Sequence, residues 1–156
     1  MRSGSIVAGA FAALLAGAAE AAPAKKPTYT IERIAVRLAY HTDGSFSDNI
    51  APPSKFTAWN TVIGAGDAKG PADDLLIQVH LKFDTDEGNL EDTLVVEVKG
   101  GGQRLVRHQV PAMFFRGGRS VRSFMVYSAT CAGKVEITAS LGKQRKTTAL
   151  ELGCGE

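Results

Sequence analysis

The chain has 156 residues, 18 Lys and Arg against 16 Asp and Glu, 44% hydrophobic residues and two cysteines. The net charge is only +2, and few aromatics stand beside the charges, which in a chain expected to be exported argues against a nucleic-acid partner. The one long apolar run lies at the N-terminus and is shorter than the about 20 residues a membrane span requires, so no transmembrane segment is expected in the rest of the chain.

That N-terminal run predicts a targeting segment. Arg2 supplies a positive start, Ile6 to Ala19 is apolar, and Ala19-Glu20-Ala21 is a small-x-small cleavage site. The pattern is that of a secretory signal peptide over residues 1–21, cleaved after Ala21, with a periplasmic or extracellular destination. No cysteine follows the run, which argues against a bacterial-type lipid anchor. Residues 22–28 read as a flexible lead-in, and 29–156 as one domain. Export implies an oxidising compartment, where two cysteines are read as one disulfide.

The first predicted strand runs from Tyr29 to His41. Ile34, Val36, Leu38 and Tyr40 share one face, and Arg33, Arg37 and His41 the other. Tyr29 and Ile31 have the opposite parity, so a bulge is expected near Glu32. Thr42–Lys55 reads as a polar loop, and Phe56–Ile63 as a short strand carrying the only Trp, Trp59. Leu75–Phe83 alternates most clearly. Asp84–Glu91 reads as an acidic turn, Thr93–Lys99 as a strand and Gly100-Gly101-Gly102 as a break. Gln103–Val110 is a weaker strand, Pro111–Ser120 a loop and Val121–Ser128 another strand.

The last stretch is the most explicit. Val135, Ile137, Ala139 and Leu141 alternate with polar residues, as do Thr148, Leu150 and Leu152 after Gly142-Lys143. Two such runs around a Gly-first dipeptide predict a hairpin with a type II′ turn. With Leu141 opposite Gln144, Ala139 faces Lys146, Ile137 faces Thr148 and Val135 faces Leu150. Continued outward, Cys131 faces Cys154, within disulfide reach. A three-residue turn would shift the register and separate the sulfurs.

About seven or eight short strands with frequent turn signals predict an all-β chain. Its expected form is an antiparallel β-sandwich of immunoglobulin-like architecture, with a small β-barrel as the alternative.

Several stretches are candidates for chemistry. Gly64-x-Gly66-x-x-x-Gly70 departs from a dinucleotide fingerprint, which would need its third glycine at Lys69 and a helix after it; a turn is the plainer reading. Asp84, Asp86, Glu91 and Asp92 form an oxygen-rich cluster that would suit calcium, or else a solvated hairpin tip. His41, His80 and His108 fall on three different strands, without close zinc spacing. There is no Gly-x-Ser-x-Gly elbow, so no catalytic residue is assigned and no cofactor beyond calcium is expected. Met113, Phe114, Phe115, Arg116 and Arg119 lie in a Gly- and Arg-rich loop. Exposed, they would make a protein or membrane contact; otherwise Phe114 or Phe115 plugs one end of the sandwich.

Charge is unevenly distributed. Residues 42–97 hold eleven acidic and three basic residues, and residues 98–146 hold ten basic residues against Glu136 alone. Either the halves form separate faces, one of them basic, or they interleave as cross-strand pairs. The expected function is a small exported binding module without catalysis, its partner an envelope protein or an anionic glycan or lipid surface. The alternatives are a calcium-stabilised structural domain of an envelope assembly and an enzyme with a loop-assembled site.

Overall fold

A computed structural model describes residues 26–52 and 56–154. The expected signal peptide and most of the lead-in lie outside those residues. The strands are β1 (Tyr29–Ala39), β2 (Asp74–Phe83), β3 (Glu87–Leu90), β4 (Leu94–Gly100), β5 (Gln103–Val110), β6 (Met113–Arg116), β7 (Arg119–Val126), β8 (Gly133–Leu141) and β9 (Gln144–Leu152). They form two antiparallel sheets, ordered β1-β2-β7-β6-β3 and β5-β4-β8-β9. The sheets do not close into a barrel, and no helix occurs among the described residues. The fold is the β-sandwich that the alternation predicts.

The core is built from the alternating faces. Leu75, Ile77, Val79 and Leu81 of β2 are buried together with Leu94, Val96 and Val98 of β4 and Val135, Ile137, Ala139 and Leu141 of β8. Each large aliphatic side chain buried in this way contributes about 1.5–3 kcal/mol relative to exposure. The phase slip near Glu32 is a register shift between Ile31 and Arg33 in the β1–β2 ladder. It lets Ile31, Ile34, Val36 and Leu38 all face inward.

The terminal hairpin has the expected register. Leu141 pairs with Gln144, Ile137 with Thr148, Val135 with Leu150 and Gly133 with Leu152. Gly142 has φ +54°, whereas Lys143 is not among the residues of positive φ, as a type II′ turn requires. Cys131 and Cys154 are disulfide-bonded with Cα atoms 5.1 Å apart. The bridge closes the open end of the hairpin.

The free edge of β1 is covered by side chains. On its second half, Asn49 Oδ1 accepts from the Val36 N–H at 2.8 Å and Ser47 Oγ from the Leu38 N–H at 2.9 Å. On its first half, the Gln144 amide donates to the Tyr29 carbonyl and accepts from the Ile31 N–H, as a strand residue would. Lys146 Nζ donates to the Glu32 carbonyl at 2.6 Å. An edge saturated in this way offers little to another strand.

Three sequence expectations change. Phe56–Ile63 is not a strand: turns replace it, and Trp59 makes only an isolated bridge with Gly153. Pro111–Ser120 is not a loop: it contains β6, a Gly117-Gly118 turn and the start of β7. The acidic turn after β2 contains β3, which pairs with β6.

The bridge spans a sequence separation of 23 residues. Replacing both cysteines by serine is expected to lower the unfolding free energy by about 3 kcal/mol in the chain-entropy account while the β-sheet circular dichroism persists. Urea denaturation of the two proteins checks this.

Candidate functional site

β1 and β2 are antiparallel neighbours that a short hairpin could join. The chain instead runs from Tyr40 to Asp73 between them. Connections beyond about 12–15 residues without secondary structure are uncommon and often functional. This one lies over the end of the sandwich where β1 stops, β2 starts, β7 stops and the disulfide closes the β8–β9 hairpin.

The excursion is held by specific bonds. Its first part clasps β1: Ser47 N–H donates to the Leu38 carbonyl at 3.0 Å and Ile50 N–H to the Val36 carbonyl at 2.8 Å. Its second part is tied to the bridged hairpin, where Asn60 N–H donates to the Gly153 carbonyl at 2.9 Å. Thr57 N–H donates to Asp67 Oδ2 at 2.5 Å, and Asp67 N–H returns a bond to the Thr57 carbonyl at 3.2 Å. Gly66, at φ +72°, sits where a Cβ would lie 2.4 Å from that same carbonyl, so the turn requires glycine. Gly64 also has positive φ, and the Gly-x-Gly stretch forms a turn.

Between the two parts lies an open cleft of about 610 Å³ lined by Tyr40, Phe46, Asp48, Asn49, Phe56 and Lys69 among others. Lys69 Nζ donates to Ser45 Oγ at 2.7 Å, lies 3.4 Å from Asp43 Oδ2 and sits over the Tyr40 ring, 4.8 Å from its centroid. Asp43 is held at about 2 by hydrogen bonds from Ser45, side chain first and then backbone, with Lys69 adding to the effect. Lys69 thus brings an ion pair and a contact with the Tyr40 ring to the wall of the cleft. Phe46 lines this cleft, and at the same end Trp59 and Ile63 of the excursion and Tyr127 just after β7 are also exposed. Among the described residues these are four of the seven large hydrophobics left exposed, and they share one end. The signal legible in the sequence was the length of the connection itself, which the reading of Phe56–Ile63 as a strand cut in two.

The predicted contact residues are split by strand alternation. Met113 and Phe115 point into the core, where Phe115 stacks on Phe83 with centroids 3.6 Å apart. Phe114 points out and is 56% exposed. Arg116 is exposed and 3.7 Å from Glu87, and Arg119 is exposed at the start of β7. Phe115→Ala is expected to destabilise by about 3–5 kcal/mol, and Phe114→Ala by less than about 0.5 kcal/mol, as thermal unfolding of the two variants will show.

The acidic cluster is distributed among separate tasks. Asp92 accepts from the Tyr29 hydroxyl at 2.8 Å and from Lys26 at 3.2 Å, and these bonds hold it below the usual carboxylate range. Tyr29 is pushed up to about 12 by burial and then by Asp92. Asp84 accepts from the Thr28 N–H at 2.8 Å; Asp86 and Glu91 are exposed. Among the described residues, no three His, Cys, Asp or Glu side chains are grouped to hold a metal ion. The acidic and basic halves interleave where β3 meets β6 and where Glu97 of β4 meets Lys99 at 3.3 Å and Arg104 at 3.8 Å.

The three histidines remain apart. His41 lies 3.8 Å from Asp74 at the loop end. His108 faces inward from β5, its ring 5.0 Å from that of Phe124. His80 lies on the outer face of the first sheet, paired with Arg33 on β1 and Val121 on β7. Burial, and then the Arg33 and Arg37 charges, lower the His80 pKa below 6.5, with Glu32 opposing. The unfolded chain then takes up this proton at a higher pH than the folded one, so acidification favours unfolding. Stability is expected to fall as pH drops below about 6.5, and His80→Gln to flatten that slope in urea titrations at successive pH values.

The class that these features define is an antiparallel β-sandwich with a disulfide-closed terminal hairpin and a long excursion over one end. No family model matches the chain, and no curated protein is similar to it.

Proposed function

We propose that this chain is an exported recognition module that performs no catalysis and engages a partner protein of the cell envelope through the loop end of the sandwich. The observation that carries this reading is that Phe46, Trp59, Ile63 and Tyr127 are all left in the open at one end of the sandwich, Phe46 lining a cleft there. Exposed patches of this kind mark contact sites, and aromatic anchors dominate the energy of protein interfaces. The excursion that carries three of them is braced on β1 and on the bridged hairpin, so little order would need to be imposed on binding. The disulfide and the signal-like N-terminus support export, and both sulfurs are bonded to each other rather than available as nucleophiles.

The mature protein is expected to begin at Ala22, which N-terminal sequencing of protein from the native cells reads directly. A photoreactive phenylalanine analogue at position 63 should give a crosslinked adduct in intact cells, and the same analogue at position 145, on the outer face of the second sheet, should not. Trp59→Ala should remove the adduct while changing stability by less than about 0.5 kcal/mol. The same pattern at both positions, or none at 63, would sink the proposal.

A further inference from the structure

The two long sides of this sandwich are treated differently. The free edge of β1 is saturated by Ser47, Asn49 and Gln144. The free edge of β5 carries no such cover: β5 pairs only with β4, and among the described residues no further backbone hydrogen bond reaches residues 103–110. Opposite it, β7 parts from β6 after the single pair Arg116–Arg119.

The core is also thin on this side. No residue of β5 is fully buried, and its inward-facing Val106, His108 and Val110 are only half covered. Phe124 of β7 is half covered too and meets His108. Two polar atoms in the seam, His108 Nε2 and Arg122 Nε, are shut off from solvent without a hydrogen-bond partner. A sandwich that seals one edge with side chains and leaves another bare beside partly exposed apolar residues presents a template for an added strand.

Charge selects the occupant. Residues 103–126 hold five arginines and no carboxylate. Of these, Arg104 and Arg107 stand on the outer face of β5, exposed; Arg104 is 3.8 Å from Glu97, and Arg107 makes no ion pair among the described residues. A second copy docked edge to edge would bring these cations against their own kind, which is unfavourable. We infer that the β5 edge accepts an extended segment of a partner protein that alternates apolar with acidic side chains. Its backbone continues the β5 ladder. Its apolar residues settle on Val106, Val110 and Phe124, and its carboxylates meet Arg104 and Arg107. This surface runs along the side of the sandwich and does not rest on the reading of the loop end.

The test uses a fluorescein-labelled peptide alternating valine and glutamate, with a valine–lysine peptide as control. Anisotropy should show binding of the glutamate peptide alone, weakened by 0.5 M salt and about tenfold by Arg107→Glu, but not by Arg145→Glu at the opposite edge of the sheet. Hydrogen exchange should slow within residues 103–110 when the peptide is present. Equal binding of both peptides, or protection appearing elsewhere, overturns the inference. So does protection of 103–110 in the protein alone that rises with concentration alongside a doubled mass by light scattering, which would make a second copy the occupant.

Discussion

The two-residue turn at Gly142-Lys143 positions more of this molecule than any other feature. It pairs Leu141 with Gln144 and so fixes the facing of every residue on β9. Gln144 and Lys146 then point toward β1, where they satisfy the Tyr29 and Glu32 carbonyls and the Ile31 N–H. At the far end of the same ladder the cysteines meet, and just inside them Gly153 receives the backbone of Trp59 and Asn60. A slip of one residue would turn Gln144 and Lys146 to the opposite face, uncover the first half of β1 and separate the sulfurs. The turn itself is crowded: a Cβ at Gly142 would lie 2.2 Å from the Tyr29 hydroxyl. Edge cover, disulfide and loop end thus share one geometric origin.

Much of this was legible because it is periodic. Residues buried on one face alternate, so β1, β2, β4 and β8 appear in the sequence as period-two runs, and the bulge near Glu32 as a break in parity. The hairpin and its disulfide were legible because a two-residue turn converts sequence spacing into spatial opposition. The Gly117-Gly118 turn was legible in principle. Both glycines have positive φ, and Met113–Arg116 alternates before them, which is a hairpin signal masked by the arginines around it.

Other parts are set by tertiary context. β3 is a strand because β6 lies beside it. Its Gly88 leaves room for the Phe115 ring, which a Cβ there would approach to 3.0 Å, and nothing in Glu87-Gly88-Asn89-Leu90 itself favours extended structure. Phe56–Ile63 has enough β-branched and aromatic residues to read as a strand, yet it finds no ladder. Its backbone is satisfied instead by Gly153 and by turns through Asn60, whose φ is +48°. The cleft could not be read from the sequence, because its walls come from residues that are neighbours only once the excursion has folded back on itself.

The uneven charge along the chain now has a structural meaning. Topology sets Arg116 of β6 against Glu87 of β3 and Glu97 between Lys99 and Arg104, so part of the linear segregation cancels in space. What does not cancel is Arg107 of β5 with Arg119 and Arg122 of β7, in a stretch that contains no carboxylate of its own. That uncancelled side is also where the sheet edge is bare and the core half-covered. At the loop end the unsatisfied quantity is apolar surface instead. The molecule therefore has two separate deficits of different chemistry, and the rigid β8–β9 hairpin supports the end but does not reach the β5 side. A partner seated at one, as proposed, would leave the other in place.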